Sequence, residues 1–280
     1  MRGAILAGMS VLRQLRSFYE RRIALPVGRD ALVLDVGSGD KPHWRADVLL
    51  DRYAGAEHGV QRSGRAAARL PRPLFDADAA DMPFADQVFD YVVCSHLLEH
   101  VVDPGGVIDE MVRVAKAGYI EVPRVTSAKI ADFPSHLWWC DLVDGELVFT
   151  AKNTAQFDDD IQRFVGEPDV QRDLQRLFDR NFDHCIVRYP WVGSVRYRVV
   201  GSVAPALVDS IAEAPGHHRR VESLVSRVLT AVLTLPIRGH HPPAPTFNQL
   251  VKPSLRRETD SVLAPGLVVG PEHAAAAERR

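Results

Sequence analysis

The stretch "ALVLDVGSGDKPHWRADVLLD", residues 31–51, decides the fold. It opens on a continuous apolar run, 31–36, that stops at Gly37-Ser38-Gly39. A run apolar on both faces and ended by glycine reads as a strand inside a parallel sheet. A second run, "ADVLLD" at 46–51, follows at once and ends in Asp51. In open α/β sheets a ligand lies beyond the carboxyl ends of the central strands. Glycines there let the backbone turn sharply and approach it, and an acid ending the second strand can accept hydrogen bonds from a ribose diol. The spacing is unusual. Gly37 and Asp51 are 14 residues apart, where dinucleotide folds place roughly 20 from glycine loop to acid. "DKPHWRA", 40–46, is therefore expected to be a compact loop in place of a crossover helix.

Outward from this stretch, strands and helices alternate. Residues 8–25 carry Val11, Leu12, Leu15, Phe18 and Tyr19 at helical spacing, and Pro26 and Gly28 end the segment. Residues 54–72 read as loop plus a short helix, and "PLFDADA" (73–79) as a short third strand and its exit. "FDYVVCS" (89–95) is a fourth strand, "PGGVIDEMVRVA" (104–115) a helix and "GYIEVP" (118–123) a fifth strand. Beyond Pro123, "GELVFTAK" can form a strand and 168–180 a helix. "HCIVRYPWVGSVRYRVVG" (184–201) reads as two strands about a Val-Gly turn, an antiparallel hairpin closing one sheet edge. The fold class expected is α/β: a doubly wound, mostly parallel seven-stranded sheet with an antiparallel edge hairpin. From about Pro242, prolines and charges predict a poorly ordered tail.

Composition narrows the function. The 280 residues are 46% hydrophobic and 25% charged, with a formal net charge of −2. No general field attracts nucleic acid, and arginines are dispersed among acids. Cys94, Cys140 and Cys185 form no paired motif, which suits a reducing, cytoplasmic setting. "LVSRVLTAVLTLPI" (224–237) is too short to span a bilayer and contains Arg227. A core helix is the plain expectation for it; a helix lying on a membrane surface, over 219–238, is the sharper one. The pairs His217–His218 and His240–His241 lack spaced partners, so no metal site is expected.

Five blocks in order, "VLDVGSG", "LLD", "DAADMPF", "FDYVVCSHLLEHVVDP" and "GYIEVP", resemble the class I S-adenosylmethionine-dependent methyltransferases, in particular the type 11 methyltransferase domain. The resemblance covers about 30–125 and implies a Rossmann-like sheet, S-adenosylmethionine as cofactor and a small-molecule acceptor. It implies that Asp35, Gly37, Ser38 and Gly39 frame the methionine part, that Asp51 holds the ribose, and that Asp78 and Ala79 read the adenine with Met82 against its face. Ser95 and His96 would lie near the transferred methyl, with Glu99 and His100 in the same motif. It also divides the chain into an N-terminal helical segment (1–28), the methyltransferase domain (29–203, with a substrate-side insertion at 124–183) and a C-terminal helix and tail (204–280). The chain departs from the family where a further glycine is usual, at Lys41-Pro42. Lys41 or His43 could instead approach the cofactor carboxylate.

Methyl transfer needs alignment and exclusion of water, and a hydroxyl acceptor gains from a general base. His96, His100 and His136 are the candidates, each with a structural role as the alternative. Trp138 and Trp139 can wall an acceptor pocket or fill the core. The function expected is O-methylation of a small-molecule, glycan or lipid-linked acceptor. The alternatives are a non-catalytic binding protein on the same fold and a nicotinamide-dependent oxidoreductase; the last needs G-x-G-x-x-G, and Pro42 is the residue after Lys41 here. Oligomeric state is not legible in the chain.

Overall fold

The computed structural model describes residues 15–52, 68–152, 159–207 and 228–270, apart from 17, 21, 131, 133, 134, 206 and 238. Its centre is a seven-stranded sheet. Four parallel strands come first: β1 (Val33–Val36), β2 (Val48–Leu50), β3 (Leu74–Phe75) and β4 (Tyr91–Ser95). Helix α1 (Pro104–Val114) returns the chain to β5 (Ala117–Pro123). Asp103 caps α1 by accepting the Gly106 N–H at 2.9 Å, and Pro104 starts it without wasting a donor. Its apolar face, Val107, Ile108, Met111 and Val114, is buried on the sheet.

The sheet order is β10-β3-β2-β1-β4-β5-β8. Order reverses between β1 and β4, which puts the ligand crevice at their carboxyl ends. Every pairing is parallel except that of β8 (Ile186–Val192) with β5. The seven-stranded, mostly parallel sheet is as the sequence predicts. The edge hairpin is only half realised in it. After Gly193, at φ +71°, the chain leaves the main sheet, and β9 (Tyr197–Val200) pairs in parallel with β7 (Glu146–Ala151). β7 is the second arm of a hairpin from β6 (Trp138–Val143), turned at Asp144-Gly145, both with positive φ. Without β9, the far side of β7 would be an open edge. The insertion thus builds a second, three-stranded sheet with β9, its hairpin preceded by α2 (Val125–Ile130) and separated from β9 by α3 (Asp159–Gly166), α4 (Pro168–Arg180), the short α5 (Phe182–Cys185) and β8.

The tail is corrected by the structure. Residues 245–269 return to the core: α6 (Phe247–Leu250) buries Phe247 and Leu250, Val251 and Leu263 are buried beside it, and β10 (Val268–Val269) adds a parallel edge to β3. Phe247 stacks on Phe75 at 6.2 Å, and Phe75 meets Phe84 edge-on at 4.7 Å. Prolines there set turns between buried anchors rather than marking disorder.

The first N-terminal helix residues described, from Leu15, are helical, and the chain turns at Ile23. Most of the apolar segment 219–238 lies outside the described residues. Its described part is helical from Val228, with Val228, Val232 and Leu235 exposed and Thr234 buried. Among the described residues no helix is long and apolar enough to cross a membrane.

Candidate active site

The short crossover is a compact loop, as its length predicts. What replaces the missing helix is a buried charge network. Arg45 donates Nη1 to Asp47 Oδ2 at 2.8 Å and Nη2 to the carbonyls of Gly28, Arg29 and Ala31 at 3.2, 3.1 and 2.7 Å. Asp47 also accepts the Val33 N–H at 3.0 Å and meets His241 Nδ1 at 2.7 Å. Trp44 donates to the Ile23 carbonyl and sits edge-on to His241. The crossover is therefore tied to the N-terminal segment, to β1 and to the C-terminal segment at once.

That anchoring presents the glycine turn. Gly37 has φ +72°, and a Cβ there would lie 2.9 Å from Leu97 Cδ1, so a larger residue would be strained and would have to displace Leu97. Gly39, at φ +50°, donates its N–H to Asp51 Oδ2 at 2.8 Å. Asp51, at the end of β2, is thus fixed against the turn. Ser38 is buried, and its hydroxyl meets no partner among the described residues. An orphaned hydroxyl inside a glycine turn is an unfilled polar contact. Asp35 is buried and accepts the His43 N–H at 2.7 Å; burial raises its pKa to about 7. His43 is buried too. Burial, followed by the charges of Arg22 and Arg45, lowers its pKa to about 3. Held neutral, it could meet a cofactor carboxylate only through an uncharged N–H, and its Nε2 has no hydrogen-bond partner among the described residues.

At the adenine end the fit is looser. Asp78 accepts the Ala80 N–H at 2.9 Å through Oδ1 and pairs with Arg52 through Oδ2 at 2.6 Å. Both oxygens are engaged, the second by an exposed arginine. Ala79 is buried beside it. Met82 does not face the crevice: it is fully enclosed in the core, its N–H bonded to Glu110 at 2.7 Å, and Phe84 is enclosed with it. The Met82 side chain, expected against the adenine, is enclosed in the hydrophobic core instead.

Beyond β4 the chain enters the other wall. His96 has φ +57°, a conformation that non-glycine residues adopt rarely and that clusters at functional sites. The turn drops its ring between two buried carboxylates, with Nδ1 3.1 Å from Glu99 Oε1 and Nε2 3.2 Å from Glu121 Oε1. Burial opposes its charge, but the hydrogen bonds and charges of Glu121 and Glu99 outweigh that and raise its pKa to about 9. Both ring nitrogens face carboxylates, an arrangement that favours a clamping role for His96 over the base expected of it. Glu121 also accepts from Tyr119 at 2.7 Å and Ser95 at 3.4 Å. Ser95 therefore lines this wall through Glu121.

His100 and His136 converge. Their rings meet edge-on at 4.7 Å, although 36 positions separate them. His100 Nδ1 lies 2.9 Å from the Ser135 carbonyl, which places an N–H there; in the neutral ring the lone pair is then on Nε2. His136 is buried; burial, then the charges of His100, Lys152 and His96, holds its pKa well below the usual histidine range. Trp138 and Trp139 are buried. Trp138 donates to the Val101 carbonyl at 2.8 Å, and Trp139 lies 4.7 Å under the Lys152 ammonium. The tryptophans are core. Lys152 is itself buried against Asp132 at 2.5 Å, a pair no motif announced.

These blocks are shared with other proteins. Residues 34–120 match the sequence profile of a family described as a methyltransferase domain. This segment is similar to a class I methyltransferase domain. A demethylmenaquinone methyltransferase of Paenarthrobacter aurescens is 34% identical over 112 residues, 39% of this chain and 44% of that protein. An uncharacterized methyltransferase of Mycobacterium leprae is 35% identical over 109 residues, 37% of this chain and 39% of the relative. The chain thus spans about two fifths of the length of the curated relatives it matches. Among solved structures, the YcgJ protein of a Bacillus is 14% identical, covers 63% of this chain and 95% of its own, and superposes with a TM-score of 0.32, too low to carry weight. The methyltransferase domain accounts for the sheet through β5; the second sheet and the tail lie beyond the match.

Proposed function

We propose that this chain is an S-adenosylmethionine-dependent methyltransferase acting on the oxygen of a small-molecule, glycan or lipid-linked acceptor. One observation carries the cofactor assignment: the glycine turn at the switch point is pinned by the Gly39–Asp51 bond at 2.8 Å, with the Ser38 hydroxyl buried and unpartnered inside it. These residues fit the methionine and ribose half of the cofactor. Ser38 and the turn amides would hold the methionine part beside Asp35, and Asp51 the ribose. Asp78 and Ala79 would take the adenine once Arg52 gives way. The bound cofactor supplies an electrophilic methyl group. The protein's work is then alignment and exclusion of water.

Within the site the histidines divide the labour. His96 positions the wall by bridging Glu99 and Glu121. His100, with Nδ1 held by the Ser135 carbonyl and its side chain 30% exposed, is the group placed to accept a proton at Nε2 from an acceptor hydroxyl. His136 sits behind it and supports its ring. Curated relatives are named for demethylmenaquinone, so a quinone and its reduced quinol belong in the acceptor screen beside sugars and phenols.

The test is calorimetric titration with S-adenosylmethionine, S-adenosylhomocysteine and NAD, followed by mass spectrometry of products from the acceptor panel. Binding of the two sulfur compounds and not NAD, with a base-stable ether product, supports the proposal. A methyl found on ring carbon overturns the oxygen assignment. Cofactor binding with no product from any acceptor favours the non-catalytic binding protein.

A further inference from the structure

Glu99, His100 and His136 come together in a way that neither the expected cofactor site nor acid–base chemistry uses fully. One ligand-type atom from each lies within 4.8 Å of the others. His100 Nε2 is 3.9 Å from Glu99 Oε1. Two imidazoles and one carboxylate form a donor set suited to a divalent transition metal. In a filled tetrahedral site with bonds of ~2.0–2.1 Å the ligand atoms stand about 3.4 Å apart, so this triad is slightly expanded.

A second observation points to a ligand. Glu99 is completely buried, and its Oε2 has no hydrogen-bond partner among the described residues. Its other oxygen is taken by His96. A buried carboxylate oxygen left bare is costly, and such atoms call for an unseen partner. The surroundings are also arranged as a metal site needs. The Ser135 carbonyl accepts His100 Nδ1–H, fixing the tautomer that aims the Nε2 lone pair, as second-shell partners of metal ligands do. The same triad was not legible as a spaced motif because its third member arrives from the far side of β5 and α2.

We infer that Glu99, His100 and His136 bind one divalent transition-metal ion, of the zinc or cobalt class, beside the carboxyl end of β4. Three protein ligands leave a coordination position for an outside oxygen. If the methyl-transfer proposal holds, that oxygen would be the acceptor's; with the ion bound His100 Nε2 is a ligand and no longer a base, and the ion would lower the hydroxyl's pKa so that its proton is lost to solvent. Binding of the ion itself does not depend on that proposal.

The experiment uses the full chain, stripped with a chelator and dialysed, without cofactor or acceptor. Cobalt(II) is titrated and followed in the visible d–d bands, and zinc is titrated by calorimetry. The expected result is one ion per chain, lowered at least tenfold in affinity by His100→Ala and by Glu99→Gln, and unchanged by His240→Ala. His100 is partly exposed, so its variant is expected to fold even if a change at buried Glu99 or His136 does not; thermal melts check this. No cobalt bands, or bands that survive His100→Ala, would overturn the site. Loss through His240→Ala would place the metal at the His240–His241 pair and overturn it equally. A chain that binds metal but not S-adenosylmethionine would sink the methyltransferase proposal alone.

Discussion

Two buried polar clusters flank the central strands, and they are finished differently. Around the crossover, Arg45 directs its charge to Asp47 and three carbonyls, and Asp47 spends its oxygens on Arg45, Val33 and His241. Beyond β1 and β4, the Ser38 hydroxyl and Glu99 Oε2 have no partner among the described residues, and His96 holds a rare backbone conformation. Buried polar groups that satisfy one another specify a structure. Buried groups left open, with strain beside them, are kept for something that arrives later. On the proposed function the first cluster is scaffold and the second is site, although His43 Nε2 in the crossover is also without a partner among the described residues.

The largest effect should follow from damage to the scaffold. Arg45→Met leaves Asp47 buried without its charge partner, a change that typically costs about 3–5 kcal/mol. Urea melts should show that loss, and the cofactor turn should fail with it because the crossover presents Gly37–Gly39. A variant of near-normal stability would mean that the network is dispensable and would erase the contrast.

Asp35 lies where the two clusters meet, and it gives the comparison a pH axis. Its folded pKa is raised from the ordinary carboxylate value of 3.8 to about 7, chiefly by burial. A carboxyl held neutral in the folded state supports stability fully below its unfolded pKa and loses that support as pH rises through its folded one. Wild-type stability should therefore fall between about pH 4 and 7. Asp35→Asn keeps an acceptor for the His43 N–H and removes the ionisation. The variant should flatten that part of the profile and be more stable at pH 8, by on the order of 2–3 kcal/mol. Equal slopes for the two proteins would assign the pH dependence elsewhere.

In the open region the effect is on binding. Asp51→Ala removes the acceptor of the Gly39 N–H and the proposed ribose contact together. Cofactor affinity should drop about 10–100-fold, the range of one or two hydrogen bonds to a charged group. Thermal stability should change much less than for Arg45→Met. A variant that binds the cofactor as wild type does would move the ribose away from β2.

How far the sequence reached follows the same division. The strands, the glycine turn and Asp51 were legible because continuous apolar runs and turn glycines are local signals. The scaffold network was not, since Arg45, Asp47 and His241 join positions that only the folded chain brings together. The convergence of Glu99 with His136, and the burial of Lys152 on Asp132, were hidden for the same reason. Met82 shows the converse limit: its place in a motif was legible, its direction was not. The tail was misjudged because five well-spaced buried anchors, Phe247, Leu250, Val251, Leu263 and Val269, are diluted by proline and charge to a composition that resembles disorder.

The finest discrimination concerns Arg52. Its pair with Asp78 is exposed, 59% and 48% by side chain, so it adds little to stability. It occupies the oxygen that an adenine amino group would use. Arg52→Ala should leave the melting temperature within about a degree and tighten S-adenosylhomocysteine binding about two- to threefold, because a competing ion pair worth ~0.5 kcal/mol no longer has to open. Methylthioadenosine, which lacks the amino-acid end, should gain by the same factor, since the change acts on the adenine alone. Weaker binding of both ligands would mean that Arg52 holds the cofactor rather than guarding its place, and Asp78 would then belong with the finished scaffold instead of the open site.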